Sequence, residues 1–132
     1  MQQIMTFLMF EGQAEEAMKF YVSLFKNSKI ESIKKYGAGE AGQAGTVHSA
    51  VFSLNGQQFM AIDSSGHAFT FTPAMSIWVN CATEVEIDAL FERLSEGGQV
   101  LMPLAKYPFS EKYGWVADKY GVSWQLSLVG SN

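Results

Sequence analysis

The stretch Thr46–Asp63, TVHSAVFSLNGQQFMAID, decides the fold. Two runs rich in β-branched and aromatic residues flank Asn55-Gly56. That dipeptide suits the two positive-φ positions of a type I′ turn, so the stretch predicts a tight β-hairpin. Upstream, residues 4–10 (IMTFLMF) form a nearly continuous apolar run, which predicts a strand buried on both faces. Ala14, Ala17, Met18, Tyr21, Leu24 and Phe25 then recur at helical spacing, with Glu15, Glu16, Lys19 and Lys26 on the opposite face. Asn27-Ser28 stops that helix. Residues 29–36 (KIESIKKY) predict an exposed, edge-type strand. The first half therefore reads β-α-β-β-β.

Residues 37–45 (GAGEAGQAG) contain G-x-G-x-x-G at Gly37, Gly39 and Gly42. A dinucleotide fingerprint needs this loop to open a helix whose N-terminus holds the pyrophosphate. Here a strand-like run follows, and no Lys-Ser/Thr completes a P-loop. The loop is read as a hairpin connection, with no site for a nucleotide-type methyl donor. A polar loop, Ser64–Thr72, closes the first half.

The order then repeats. Residues 74–81 (AMSIWVNC) are strand-like. Thr83 and Glu86 fit a capping box at a helix start. Ile87, Leu90, Phe91 and Leu94 make the apolar face, and Gly97-Gly98 ends the helix. Residues 99–103 (QVLMP) predict a short strand stopped by Pro103. A loop with Pro108 leads to YGWVADKY (113–120) and a last strand, GVSWQLSL (121–128). In both halves a turn glycine precedes the final strand: NGQQFMAI (55–62) echoes YGVSWQLSL (120–128). An internal repeat of this size predicts an α+β fold of two tandem βαβββ modules, residues 1–65 and 73–130, in one domain spanning 1–132. A ferredoxin-like α+β fold needs β-α-β-β-α-β order, which the hairpin and the repeat oppose.

The bulk numbers narrow the function classes. With 132 residues and 48% apolar content, the chain can build a sizeable core. Net charge is −4 and the nine Lys and Arg form no run, so no nucleic-acid partner is expected. No apolar segment approaches the roughly 20 residues of a membrane span, and the first residues lack a basic signal-peptide region. Cys81 is the single cysteine and is read as a buried structural thiol. A reducing, cytoplasmic setting is the expectation.

Two tandem βαβββ modules resemble the vicinal oxygen chelate superfamily, which includes glyoxalase I, bleomycin and fosfomycin resistance proteins and extradiol dioxygenases. The stretches FLMFEGQAEEAMKFYVSLF (7–25), VHSAVFSLNGQQFMAID (47–63), LFERLSEGGQVLMPL (90–104) and WVADKYGVSWQL (115–126) resemble its PhnB-like branch, which carries the label 3-demethylubiquinone-9 3-methyltransferase. The resemblance implies modules that curl into a cup around one cavity. In metal-dependent members, four His or Glu ligands stand in that cup, one on the first and one on the last strand of each module. The pattern Asp-x-x-Gly, then Glu four residues on, matches Asp118 and Gly121, but the Glu position holds Gln125. The other three positions fall on Thr6 (or Met5), Met60 and Ser76. A hard divalent ion needs charged or strongly basic donors to replace its hydration shell. An amide, hydroxyls and a thioether offer little, so neither a metal nor another cofactor is expected.

Strand alternation groups Ser76 with Trp78, Met60 with Gln58 and Ile62, and Gln125 with Ser123 and Ser127. With His48 and the aromatic loop residues Phe109, Tyr113 and Trp115, these form a cavity of Thr6, His48, Met60, Ser76, Trp78 and Gln125 suited to a neutral small molecule. The same Met and aromatic side chains would equally fill a closed core. His48 reads either as a strand histidine bonded to a neighbour or as a ligand contact, and His67 as solvent-exposed in its loop. The leading expectation is metal-independent binding of a small organic ligand by a homodimer. The enzyme alternative is a lyase, isomerase or dioxygenase-type activity with a divalent ion held by His48, Asp63 or Gln125.

Overall fold

Asn55 (φ 48°) and Gly56 (φ 86°) both adopt left-handed conformations, as a type I′ turn requires. They join strands β3 (Val47–Leu54) and β4 (Gln57–Asp63), which pair antiparallel with Phe52 opposite Phe59. The structure, a computed structural model, describes residues 2–67 and 69–129. The chain divides near residue 68 into two compact units.

In the first unit, β1 (Thr6–Phe10), helix α1 (Ala14–Leu24) and β2 (Lys29–Lys35) precede the hairpin, and the sheet order is β1-β4-β3-β2. Ala14, Ala17, Met18 and Tyr21 are buried along one side of α1. Tyr21 meets Phe52 at 6.3 Å between ring centroids, and Phe52 stacks on Phe59 at 5.2 Å. Burying side chains of this size contributes roughly 1.5–3 kcal/mol each. The expected strand buried on both faces is corrected. β1 is an edge strand: Leu8 and Phe10 are buried, but Phe7 is 49% exposed and Ile4 lies outside the strand. Asn27 (φ 52°) terminates the helical region in the left-handed conformation that asparagine tolerates.

No side chain of α1's own start caps it. The cap comes from the end of β4. Oδ1 of buried Asp63 accepts from the Gly12 and Ala14 amides at 2.8 and 2.9 Å, and Oδ2 accepts from the Val47 amide at 2.9 Å. One carboxylate thus satisfies orphan donors of a helix N-terminus and ties it to two strands. The glycine run leads directly into β3. The ring of Tyr36 packs where a side chain on Gly42 would stand.

The second unit repeats the order: β5 (Ile77–Cys81), α2 (Glu84–Ser95), β6 (Gln99–Tyr107), β7 (Ser110–Ala117) and β8 (Ser123–Leu128), in sheet order β5-β8-β7-β6. The two units are therefore the tandem βαβββ modules that the sequence repeat predicts. The expected end of the second module at residue 130 lies outside the described residues. α2 opens on a capping box in which Thr83 Oγ1 accepts from the Glu86 amide at 3.2 Å and Glu86 reaches back to the Ala82 amide at 3.0 Å. Ile87, Leu90 and Leu94 are buried with Trp124, Leu126 and Val116. Cys81 is buried too, and desolvation, with Glu86 nearby, pushes its thiol up to about 12.

Pro103 does not end β6, contrary to expectation. The strand runs on to Tyr107, because β6 is an edge strand and its register against β7 is broken between Met102 and Ala105. An edge or bulge position has no ladder donor for proline to remove. Among the described residues no helix is long and apolar enough to cross a membrane.

Candidate functional site

Strand alternation gives the second sheet two unlike faces. Trp124 and Leu126 point to the α2 side, where the Phe91 ring fills the space a side chain on Gly114 would need. The residues between them point away from α2. The register sets Trp78 of β5 beside Gln125 of β8, and Gln125 beside Trp115 of β7, while Tyr113 pairs with Ser127. Ser76, Trp78 and Gln125 are thus brought together on one face.

Trp78 Nε1 donates to Asn80, while Gln125 and Ser76 belong to a single chain of bonds. The Tyr113 hydroxyl donates to Oε1 of Gln125, whose Nε2 donates to Ser76 Oγ at 3.1 Å. Ser76 and Ser123 hydroxyls lie 2.7 Å apart, and Trp115 Nε1 donates to Ser123 Oγ at 2.8 Å. The Ser110 and Ser127 hydroxyls make a second pair at 2.9 Å. Tyr113 is buried, and burial first, then neighbouring Tyr107, raises its phenol above the ordinary tyrosine value. It therefore stays a neutral donor at physiological pH. Around it stand Trp78 (ring centroids 5.8 Å apart), Tyr107 (5.5 Å) and Phe109 (4.9 Å). Trp78 is 50% and Phe109 62% exposed, so ring surface is open to a ligand.

Tyr113 and Trp115 are strand residues of β7, as the βαβββ reading of YGWVADKY requires, and not loop residues like Phe109, with which they were grouped as cavity aromatics. Their link to Gln125 was hidden because it depends on the β7–β8 register. Ser123, grouped with Gln125 by strand alternation, does join the same chain of bonds.

The first-unit candidates do not assemble in the same way. Met60 pairs with Val51 and with Phe7. Thr6 pairs with Phe59, one residue out of step, so it does not share Met60's face, and Phe7 takes the place expected for it. His48 falls where β3 shifts register against β2. It is exposed, packs edge-on to Tyr36 at 5.0 Å, and places Nδ1 3.4 Å from Ser49 Oγ. Asp63 is committed to three backbone amides. His67 is not the exposed loop residue expected: its side chain is 11% exposed and Nε2 lies 3.2 Å from Glu11. A surface cleft of about 590 Å³ is bordered by Lys29, Glu31 and Gln58, but Gln58 already bonds Glu31 and Gln3.

The donors at the four superfamily positions do not fit a divalent metal. Among the described residues no three His, Cys, Asp or Glu side chains cluster to hold an ion. Gln125 offers a neutral amide whose oxygen is engaged by Tyr113, and Ser76 a hydroxyl engaged by Gln125 and Ser123. The Asp-x-x-Gly turn is likewise structural. Asp118 Oδ1 accepts from the Tyr120 and Val122 amides at 2.8 and 3.1 Å, and Gly121 adopts φ 93°.

Residues 2–127 match the family model described as 3-demethylubiquinone-9 3-methyltransferase. Among solved structures, a putative 3-demethylubiquinone-9 3-methyltransferase, PhnB protein, from Bacillus cereus is 61% identical, with 97% of this chain and 100% of that chain covered and a TM-score of 0.95. Protein PA1353 from Pseudomonas aeruginosa is 26% identical over 97% and 98% of the two chains, with a TM-score of 0.82. The fosfomycin resistance protein FosX from Listeria monocytogenes shares the fold at 14% identity over 98% and 94%, with a TM-score of 0.67. A comparison with curated proteins gave no match.

Proposed function

We propose that this chain, which belongs to the 3-demethylubiquinone-9 3-methyltransferase family within the vicinal oxygen chelate superfamily, binds a small neutral organic molecule without a metal. The observation that carries this reading is the Gln125 amide, held between the Tyr113 and Ser76 hydroxyls beside half-exposed Trp78. Ring surface next to a few fixed, uncharged hydrogen-bonding groups is the make-up of a small-molecule site. The side chains of this cluster, Ser76, Trp78, Tyr113, Trp115, Ser123 and Gln125, are uncharged, and Lys112 of β7 pairs instead with Glu84 and Asp88 of α2.

Methyl transfer forms no part of the reading. The glycine run at 37–45 leads into a strand, so no helix N-terminus stands there to take a nucleotide-type donor. The reading includes a homodimer in a reducing compartment, supported by exposed apolar residues such as Phe7 and by one buried thiol. A solution mass equal to one chain contradicts the dimer.

The test titrates benzamide into the protein and follows tryptophan emission and melting temperature, before and after chelator treatment. A ligand that binds the native state raises stability by RT ln(1 + [L]/Kd). Saturable change that survives chelation and disappears in Trp78→Ala is expected. A response that appears only on adding Mn, Ni, Zn or Fe favours a metal-dependent enzyme instead.

A further inference from the structure

The chain of hydrogen bonds through Gln125 can be counted proton by proton. Trp115 donates to Ser123, and Gln125 donates to Ser76. The two hydroxyls also bond each other at 2.7 Å, which uses one hydroxyl hydrogen. One hydroxyl hydrogen is left over whichever serine donates. Neither serine has another partner among the described residues. Ser123 is 2% exposed, so an unused hydrogen there would be buried, and leaving a buried donor unmade is costly. Ser123 therefore donates to Ser76, and the Ser76 hydrogen is the free one, at a partly exposed position. Gln125 adds a second. Its Nε2 carries two hydrogens, one of which goes to Ser76. The Tyr113 hydroxyl donates to the amide oxygen, so Nε2 is the end that faces Ser76.

We infer that this face presents two convergent donors, the Ser76 hydroxyl and the outer Nε2–H of Gln125, to a hydrogen-bond acceptor oxygen on a flat apolar ligand. The inference rests on the binding role proposed for the same face and narrows its ligand class to neutral carbonyl compounds whose ring lies against Trp78. Tyr113 acts as a positioning residue that holds the amide with its donor side outward.

Three probes of similar size separate the alternatives: acetophenone (acceptor), ethylbenzene (neither) and indole (donor). Affinities are read from side-chain amide and indole NMR shifts in the full chain. Acetophenone should bind at least about three- to tenfold more tightly than ethylbenzene, the range of a single net hydrogen bond. It should also move the Gln125 side-chain amide resonances. Ser76→Ala and Gln125→Glu should each bring that preference, the ratio of acetophenone to ethylbenzene affinity, down towards one. Tyr113→Phe should weaken it without abolishing ethylbenzene binding. Equal affinities for acetophenone and ethylbenzene, or tighter indole binding, overturn the donor assignment and leave the binding role standing. No shift at Trp78 with any probe overturns both.

Discussion

The indole N–H of Trp124 donates to Oδ2 of Asp118 at 2.8 Å, and both residues are buried. The other oxygen of that carboxylate holds the Tyr120 and Val122 amides, so one side chain fixes both the turn before β8 and the largest core residue on it. Asp118→Ala leaves three donors without their acceptor and should cost roughly 3 kcal/mol. Asp118→Asn keeps an acceptor and should cost less. Urea midpoints at constant m-value measure both, and an unchanged midpoint for the alanine variant contradicts the role.

Asp63 does the corresponding work in the first unit. Asp63→Ala should destabilise by roughly 2–3 kcal/mol through loss of a helix cap and a strand tie. Amide exchange should speed up at Gly12, Ala14 and Val47, the residues whose N–H groups it accepts. Loss of divalent binding with no change in exchange would instead indicate a metal ligand.

Gly97 and Gly98 both end α2 for different reasons. Gly97 has φ 72°, a left-handed cap position, so Gly97→Ala should cost about 1–2 kcal/mol. At Gly98 a Cβ would collide with the backbone oxygen of Ala117. Backbone cannot swing aside, so Gly98→Ala should cost roughly 3 kcal/mol. Thermal unfolding of the two variants gives the order directly.

Cys81 makes stability depend on alkaline pH. Its thiol holds a proton up to about 12 in the folded chain, against an ordinary value of 9.0. Between these values the unfolded chain has lost the proton and the folded chain has not. Stability therefore falls as pH rises through that window, by up to about 1.4 kcal/mol per pH unit. Cys81→Ala should flatten the difference above pH 9.0. At pH 8 iodoacetamide should label the native thiol only as fast as the protein opens.

Gln125→Glu alone should not create tight divalent binding. The matched positions still hold Met60 and Ser76, and Phe7 stands beside Met60. Calorimetry with Mn or Zn should show no micromolar site, and finding one means the ligand positions are misassigned.

Local chemistry determined the elements. Asn55-Gly56 set the hairpin, Thr83 and Glu86 the start of α2, and apolar spacing both helix faces, because turns, caps and periodicity act over a few residues. The repeat of these signals was enough to identify two βαβββ modules, and the resemblance to the superfamily put Met60, Ser76 and Gln125 at its ligand positions. Register was not legible. Whether Thr6 or Phe7 stands beside Met60 depends on a one-residue slip between strands whose paired residues lie 53 positions apart, and such a slip reverses every side chain. The continuation of β6 through Pro103 needed its place at the sheet edge. The partners of Gln125 needed the pairing of β5, β7 and β8. A glutamine in a strand is only a polar residue until its neighbours are known. Tyr113 and Ser76 turn it into an oriented amide, and only the folded sheet brings those two hydroxyls to its ends.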